Sequence, residues 1–399
     1  MLERHPGIGW LCGHLHIERA SGRSVAAERY VQELGVSHAD CSHRERRNDQ
    51  LGTKNDNLKL EDGKQVQTWM ENRDFYWDEA IATVSKVVNG KDENISSATR
   101  ERIKRIIEEV GYVPNRIASS LVTKKTKTIG LIIPDIANPF FPELARGAED
   151  FSNKEGYTII LCNSDNDLEK EDAYIDMLQE KMVDGIIFTA SSNRSELSIA
   201  LNKSSIPVIT IERNIDGLQS QNTIVSNNEN GAYCAVTHMI ECGYEKILHI
   251  SGPMVSKPAQ ERYKGYLRAL KEKNIEPIEN HLIEGKYSGD WGFETIQNLI
   301  SQRFDYDGVF CGNDLIALGA LKALQLNNIN VPNQVGLVGY DDIYMAQMVR
   351  PELTTVKQPN YEMGYQAAEM LVLMINNEEP NLSSESLETR LIVRGTTRV

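Results

Sequence analysis

Long apolar runs are missing from this chain. Of its 399 residues 40% are hydrophobic, yet no run approaches the ~20 residues a membrane helix needs, so nothing is expected to cross a bilayer. Cysteine is scarce too. The six present are scattered without a pairing pattern, which excludes a disulfide scaffold. Cys162 and Cys311 lie in apolar strand-like runs and are expected as small buried hydrophobes of a reducing cytoplasm. Cys12, His14, His16, His38, Cys41 and His43 have spacings foreign to zinc sites, so no metal is expected. The opening "MLERHPGIGWLCGHLHIERA" has no basic start, apolar core or small-residue cleavage site. No secretory leader is read there, and the expected location is cytoplasmic. Basic charge is outnumbered: 43 Lys and Arg against 57 Asp and Glu leave a net charge of −14. That excludes a chain that coats nucleic acid or anionic membrane along its whole length.

What is present is unevenly placed. Residues 81–127 carry ten basic and five acidic side chains, a local excess of +5, while residues 128–399 sum to −16. A basic island of this kind is the local footprint of a nucleic-acid contact. From Thr128 onward, β-branched runs alternate with amphipathic stretches: "TIGLIIPDI", "YTIILCNS", "DGIIFTA" and "IPVITIER" are separated by "FPELARGAEDFSNKEG" and "KEDAYIDMLQEKM". After "NTIVSN" the alternation restarts with "KILHISGP" and runs through "DGVFCGND" to "VGLVGYDD". Continuous apolar strands separated by helices imply parallel sheets covered on both faces, here as two doubly wound α/β lobes. Ligands gather beyond the carboxyl ends of such strands. The residues at those places are polar or aromatic: Asn138, Phe140, Arg213, Asn313, Asp314 and Asp341.

No G-x-G-x-x-G turn after a strand, no G-x-x-x-x-G-K-[ST] loop and no G-x-S-x-G elbow occurs in the lobes, so no enzyme is expected.

Residues 81–127 form a different unit. "IATVSKVVN" has helical apolar spacing, with Val84, Val87 and Val88 on one side and small or polar residues on the other. "SSATRERIKRIIEEVG" opens on capping residues and closes on Gly111. Residues 1–76 have no sustained period, and no fold is assigned to them; they are read as disordered or aberrant.

In order along the chain, "ATVSKVVNG", "TRERIKRIIEEVGYVPNRIASSLVTKKTKTIGLIIPDI", "NPFFPELARGAED", "ERYKGY", "GNDLIALGALKAL", "VGLVGYDD" and "LTTVKQP" resemble the lactose-repressor family of bacterial transcription regulators, most of all its ribose-operon repressors. The resemblance spans residues 81–399. It implies a periplasmic-binding-protein-like pair of lobes behind a partial helix-turn-helix DNA head, no cofactor, a homodimer, palindromic operator DNA as a partner, and a small sugar effector such as D-ribose. The implied divisions are 77–127 for head and hinge, 128–226 with 357–386 for one lobe, and 227–356 with 387–399 for the other. Carried over by resemblance, Ile81, Ala82 and Lys86 would face bases, while Thr83, Ser85 and Asn89 would hold phosphates. The hinge would contribute Asn115, Arg116, Ala118 and the minor-groove wedge Leu121.

The sugar site implied comprises Asn138, Phe140, Phe141, Asn166, Arg213, Arg262, Trp291, Asn313, Asp341 and Gln358. Flat aromatic faces suit the C–H surface of a ring, and charged or amide groups suit its hydroxyls. Plainer readings stand beside these: Phe141 as core, Arg262 as a solvated charge, Asp314 and Asp342 as helix-capping or structural. Two departures from the family pattern are legible. "NRDFYWDEA" stands where the first helix and a Gly-Val turn belong, which leaves open a sugar-binding protein whose DNA head is defective. Glu212 stands where ribose sites often carry Asp.

Overall fold

The computed structural model describes residues 83–88, 90, 92–109, 125–191, 206–212, 222–378 and 386–398. The readings on residues 1–76 and on Ile81, Ala82, Asn89, Gly111, Asn115, Arg116, Ala118, Leu121 and Arg213 lie outside them. The chain divides into two units, residues 1–124 and 125–399.

In the first unit, residues 83–88 are helical and α1 spans Ser97–Glu109. Val84 and Val87 are buried against Ile103 and Ile106 of α1, with Val88, Ile95 and Ile107 packed around them. The connecting turn is tied down by Arg100, whose Nε pairs with Asp92 at 2.5 Å and whose Nη2 donates to the Asp92 carbonyl at 2.8 Å. Ser96 caps α1 by accepting from the Thr99 amide at 3.2 Å.

The second unit holds two sheets. The first comprises β1 (Thr128–Ile133), β2 (Thr158–Asn163), β3 (Gly185–Phe188), β4 (Val208–Ile211) and β5 (Thr223–Ile224), in the order β2-β1-β3-β4-β5 and parallel throughout. The run TIGLII makes β1 the most apolar of them, and five of its six residues are buried. That composition suits a central strand covered on both faces. α2 (Phe140–Lys154) follows β1, and α3 (Leu168–Glu180) follows β2 behind an Asp167 cap that accepts from the Glu169 and Lys170 amides.

The second sheet comprises β6 (Ile247–Ser251), β7 (Leu282–Glu284), β8 (Gly308–Cys311), β9 (Gly336–Asp341), β10 (Thr354–Lys357) and β11 (Arg390–Ile392), in the order β11-β10-β9-β8-β6-β7. Its helices are α4 (Asn228–Glu241), α5 (Lys257–Glu272), α6 (Gly289–Ser301) and α7 (Asp314–Leu326). β11 departs from the all-parallel expectation: it returns antiparallel to β10, because the chain re-enters this lobe from the other one. The last helix, α8 (Asn360–Ile375), follows β10 but packs in the first lobe, where Met363, Ala367 and Leu371 share a core with Ile129, Ile187 and Ile209. The chain therefore passes between the lobes after β5, after β10 and after α8. A parallel bridge between Ser226 and Leu387 brings the first and third passages together.

Glycines set how closely the helices approach. A Cβ on Gly147 of α2 would run into the Tyr361 carbonyl of α8, and one on Gly364 of α8 into the Leu144 carbonyl of α2. Gly265 of α5 meets the Glu229 carbonyl of α4 in the same way, and Gly319 of α7 meets that of Gly289 in α6. Cys162 and Cys311 are buried. Among the described residues no helix is long and apolar enough to cross a membrane.

Candidate ligand cleft

The carboxyl ends of both sheets open onto one cleft. The first lobe lines it with Asp135, Asn138, Phe140 and Phe141 after β1, Asn166 after β2, Thr189 after β3 and Glu212 after β4. The second lobe adds Ser256, Pro258 and Arg262 beyond β6, Tyr287 beyond β7, Asn313 beyond β8, Asp341 at the end of β9 and Gln358 beyond β10. A concave, largely preformed site with a few convergent polar groups is the usual form of a small-molecule pocket.

The apolar side comes from the start of α2. Asn138 accepts from the Phe140 amide at 3.2 Å, which turns the chain so that Phe140 and Phe141 enter together. Their rings meet edge to face with centroids 4.9 Å apart, and both are buried.

The polar side is built from buried charge. Arg262 is only 5% exposed, so the reading of a solvated helix charge is overturned. Its Nη1 donates to the Gly312 carbonyl at 2.6 Å, its Nε to Asn228 Oδ1 at 2.8 Å, and its plane lies 3.8 Å over the Tyr340 ring. Nη2 points toward Asp341 Oδ1 at 3.8 Å. Asp341 accepts from Gln358 Nε2 at 2.7 Å. Burial pushes its carboxyl up to about 6, against the opposing pull of Arg262 and the Gln358 amide. Its backbone is strained, with φ at +112°, a geometry that costs a non-glycine residue about 1–3 kcal/mol and gathers at functional sites.

Asp342 holds the turn that follows, pairing with Arg394 at 2.6 Å in a nearly dry setting.

Glu212 explains its own departure from the family pattern. At φ +63° it sends its carboxylate toward the start of α4, where Oε1 accepts from the Ser226 amide at 2.7 Å and Oε2 from Asn228 Nδ2 at 2.6 Å. Both oxygens are thus engaged with the first passage between the lobes.

Asn313 caps α7 through Oδ1, which accepts from the Ile316 amide at 2.9 Å. Its Nδ2 is buried and has no partner among the described residues, nor have the Tyr287 hydroxyl and the Thr189 Oγ1. Buried polar atoms of this kind ordinarily find a partner, and all three residues line the cleft. Asp314 does not cap the helix. It accepts from Thr355 Oγ1 at 2.5 Å and from the Ile343 amide at 2.8 Å, pinning the end of β9, and burial pushes its carboxyl well up.

The sequence expectation needs one correction. Trp291 stands apart from the cleft lining: its ring packs over Gly285 and against the core of the second lobe. Tyr287, four residues earlier, lines the cleft instead, with its ring seated over Gly252. Among the described residues no cluster of His, Cys, Asp and Glu gathers to hold a metal.

In the first unit, Lys86 is exposed on the helical stretch 83–88, and Thr83 and Ser85 are half-buried.

Comparison with known proteins places this geometry. Residues 126–392 match the family model for periplasmic binding proteins and the sugar-binding domain of the LacI family, and residues 80–115 match that for bacterial regulatory proteins of the lacI family. The chain belongs to the LacI family. A relative in Clostridium saccharobutylicum, the HTH-type transcriptional regulator RegA, is 40% identical over 320 residues, covering 80% of this chain and 96% of its own. The ribose operon repressor of Halalkalibacterium halodurans is 35% identical over 319 residues, covering 80% and 94%. A crystal structure of a LacI-family regulator from Enterococcus faecium with bound ribose superposes with a TM-score of 0.60 at 29% identity, covering 68% of this chain and 98% of that one. These LacI-family relatives are transcription regulators, not enzymes. At that level the function is theirs: DNA-binding transcriptional regulation governed by a small-molecule effector.

Proposed function

We propose that this chain is a sugar-responsive repressor of a ribose or related sugar operon, acting in the cytoplasm as a homodimer on a palindromic operator. Its effector is a small neutral sugar, D-ribose or a close pentose, held between a lobe of residues 128–226 with 357–386 and a lobe of residues 227–356 with 387–399. The observation that carries this reading is the convergence of Phe140, Phe141, Arg262, Asn313 and Asp341 from both lobes on one cleft. The aromatic pair suits a sugar ring. The buried amide, hydroxyl and carboxylate suit its hydroxyls, and such groups discriminate strongly because an unmatched ligand leaves them unpaired. Asn138, Asn166, Arg213 and Gln358 complete the polar set in this proposal.

Neutrality follows from how Arg262 is used. Its donors are engaged by Asn228 and Gly312 and directed at Asp341, and the cleft also carries Asp135 and Glu212. An anionic ligand would meet more negative than positive charge among the described lining residues. The ribose-bound relative and the ribose operon repressor support a pentose.

DNA contact is proposed for Thr83, Ser85 and Lys86, together with Ile81, Ala82, Asn89, Asn115, Arg116, Ala118 and Leu121. Effector binding would favour one lobe arrangement over another and so shift operator affinity. A second reading, sugar binding with a defective head, is favoured by one observation: the charged Asp78-Glu79 pair occupies the place of the family's Gly-Val turn.

Isothermal titration calorimetry with D-ribose, D-xylose and D-ribose 5-phosphate tests the cleft. A neutral pentose binds, the phosphate ester binds at least about tenfold more weakly, and Arg262→Met weakens the pentose by about tenfold or more through loss of a buried charge-assisted donor. Preferential binding of the phosphate ester would overturn the reading.

A further inference from the structure

Asn228, the first residue of α4, does not line the cleft, yet it touches two side chains that do. It is 1% exposed. Its Oδ1 accepts from Arg262 Nε at 2.8 Å, and its Nδ2 donates to Glu212 Oε2 at 2.6 Å and to Ser226 Oγ at 3.2 Å. Arg262 belongs to α5 of the second lobe, and Glu212 follows β4 of the first. A neutral amide therefore stands between the cleft's buried cation and one of its anions, with its acceptor end on the cation and its donor end on the anion.

The remaining bonds of that set close a ring. Ser226 Oγ donates to Gln358 Oε1 at 2.8 Å, Gln358 Nε2 donates to Asp341 at 2.7 Å, and Asp341 faces Arg262. Asn228 is the member of this ring whose side chain bonds directly to two charged residues of the cleft, one in each lobe, without lining the cleft itself.

We propose that Asn228 is a positioning residue for effector recognition. It holds Arg262 and Glu212 at a fixed separation, so that each is presented to the effector and the two do not collapse into a direct ion pair across the cleft. Arg262 has two other anchors, the Gly312 carbonyl and the Tyr340 ring; the bond at Nε removes its last rotation and aims Nη2 at Asp341. Glu212 is held at its other oxygen by the Ser226 amide, so Asn228 completes the fixing of its carboxylate beside the cleft. Asparagine is suited to the place because a carboxylate would repel Glu212 and an aliphatic side chain would leave Arg262 Nε and Glu212 Oε2 without their hydrogen bonds. This inference rests on the cleft being the effector site.

The test is a charge swap. In N228D, the new carboxylate keeps the bond from Arg262 but faces Glu212. In E212Q, two amide donors face one another. In the double variant N228D/E212Q, the introduced amide donates to the introduced carboxylate, which still accepts from Arg262, and the summed charge is unchanged. With D-ribose as the calorimetric probe, each single variant weakens binding by about tenfold or more, and the double variant recovers to within about threefold of the parent. Binding by N228D equal to the parent, or a double variant no better than its singles, would overturn the proposal.

A readout without sugar separates this from the effector assignment. The Arg262 Nε–H resonance is protected from solvent exchange in the parent and loses that protection in Asn228→Ala. Absent D-ribose binding with protection lost in Asn228→Ala would sink the sugar reading and leave the relay standing. Unchanged protection in Asn228→Ala would sink the relay.

Discussion

Gln358 Nε2 donates to Asp341 Oδ1 across 2.7 Å, and this bond joins the second passage between the lobes to the strained end of β9. On its other side Gln358 Oε1 accepts from Ser226 Oγ at 2.8 Å, in the first passage. A residue expected from the resemblance as a hydroxyl binder thus also fastens together two of the connections between the lobes. Gln358→Leu removes both bonds at once and leaves Asp341 and Ser226 with unmatched polar atoms. Thermal unfolding of that variant is expected to show a loss of about 1–3 kcal/mol, and calorimetry a weaker effector.

Proton linkage gives a second expectation for the same carboxylate. A sugar hydroxyl donating to Asp341 favours the ionised form, whereas the free protein holds this carboxyl at about 6. Effector affinity is therefore flat above pH 7 and falls as pH drops through 6, approaching roughly tenfold per unit at lower pH. Asp341→Asn binds less tightly and without that slope, as calorimetry across pH 5 to 8 would register.

Stability responds to pH through buried groups of opposite sign, His249 on one side and the carboxyls of Asp341 and Asp314 on the other. Burial pushes His249 down to about 4, against the bond to the Phe310 carbonyl, so the unfolded chain takes up its proton first. Its contribution is fully present above about pH 6.5 and is lost as pH falls toward 4, by up to about 1.4 kcal/mol per unit. Asp341 is raised, so its contribution is present below about pH 4 and is lost as pH rises through 6. The two slopes oppose each other between pH 4 and 6. Denaturant titrations are expected to show His249→Phe losing more stability than the parent as pH rises across that window, and Asp341→Asn losing less.

The glycine contact between α2 and α8 yields a packing prediction. Gly364→Ala places a methyl group against the Leu144 carbonyl and forces the two helices apart. Overpacking of this kind costs about 1–3 kcal/mol or more. Differential scanning calorimetry would detect it as a lower Tm, whereas Gly156→Ala, at an exposed turn with open space around it, loses only what its positive φ costs.

Much of the body was legible because its strands are unbroken apolar runs. "TIGLII" and "GLVGYD" announce β1 and β9 by composition alone, and the strand-end rule led directly to Asn138, Asn313 and Asp341. Tyr287 obeys that same rule, lying just beyond β7, but β7 is only three residues long and half-buried, so its end carried little signal. Trp291 was expected only because the family resemblance places a ring-stacking aromatic there, yet Ser288 caps the helix at that point and the ring turns inward over Gly285. Asn228 was invisible in the sequence because its importance lies in what its two ends touch. Glu212 was noticed as a departure, but its extra methylene acquires meaning only once its reach to Ser226 and Asn228 is known. The antiparallel β11 was not foreseen, since three residues after a return passage make no periodic pattern.

The proposed repressor activity turns on one coupling, between a sugar in the cleft and operator DNA at the head. A gel-shift titration of the full chain on a palindromic operator placed before sugar-utilisation genes, with and without D-ribose or D-xylose, measures it most directly. A sequence-specific shift whose affinity changes by about fivefold or more with the sugar, and not in Arg262→Met, is the result expected. A shift indifferent to every pentose, or no specific shift at all beside intact sugar binding, would contradict the account.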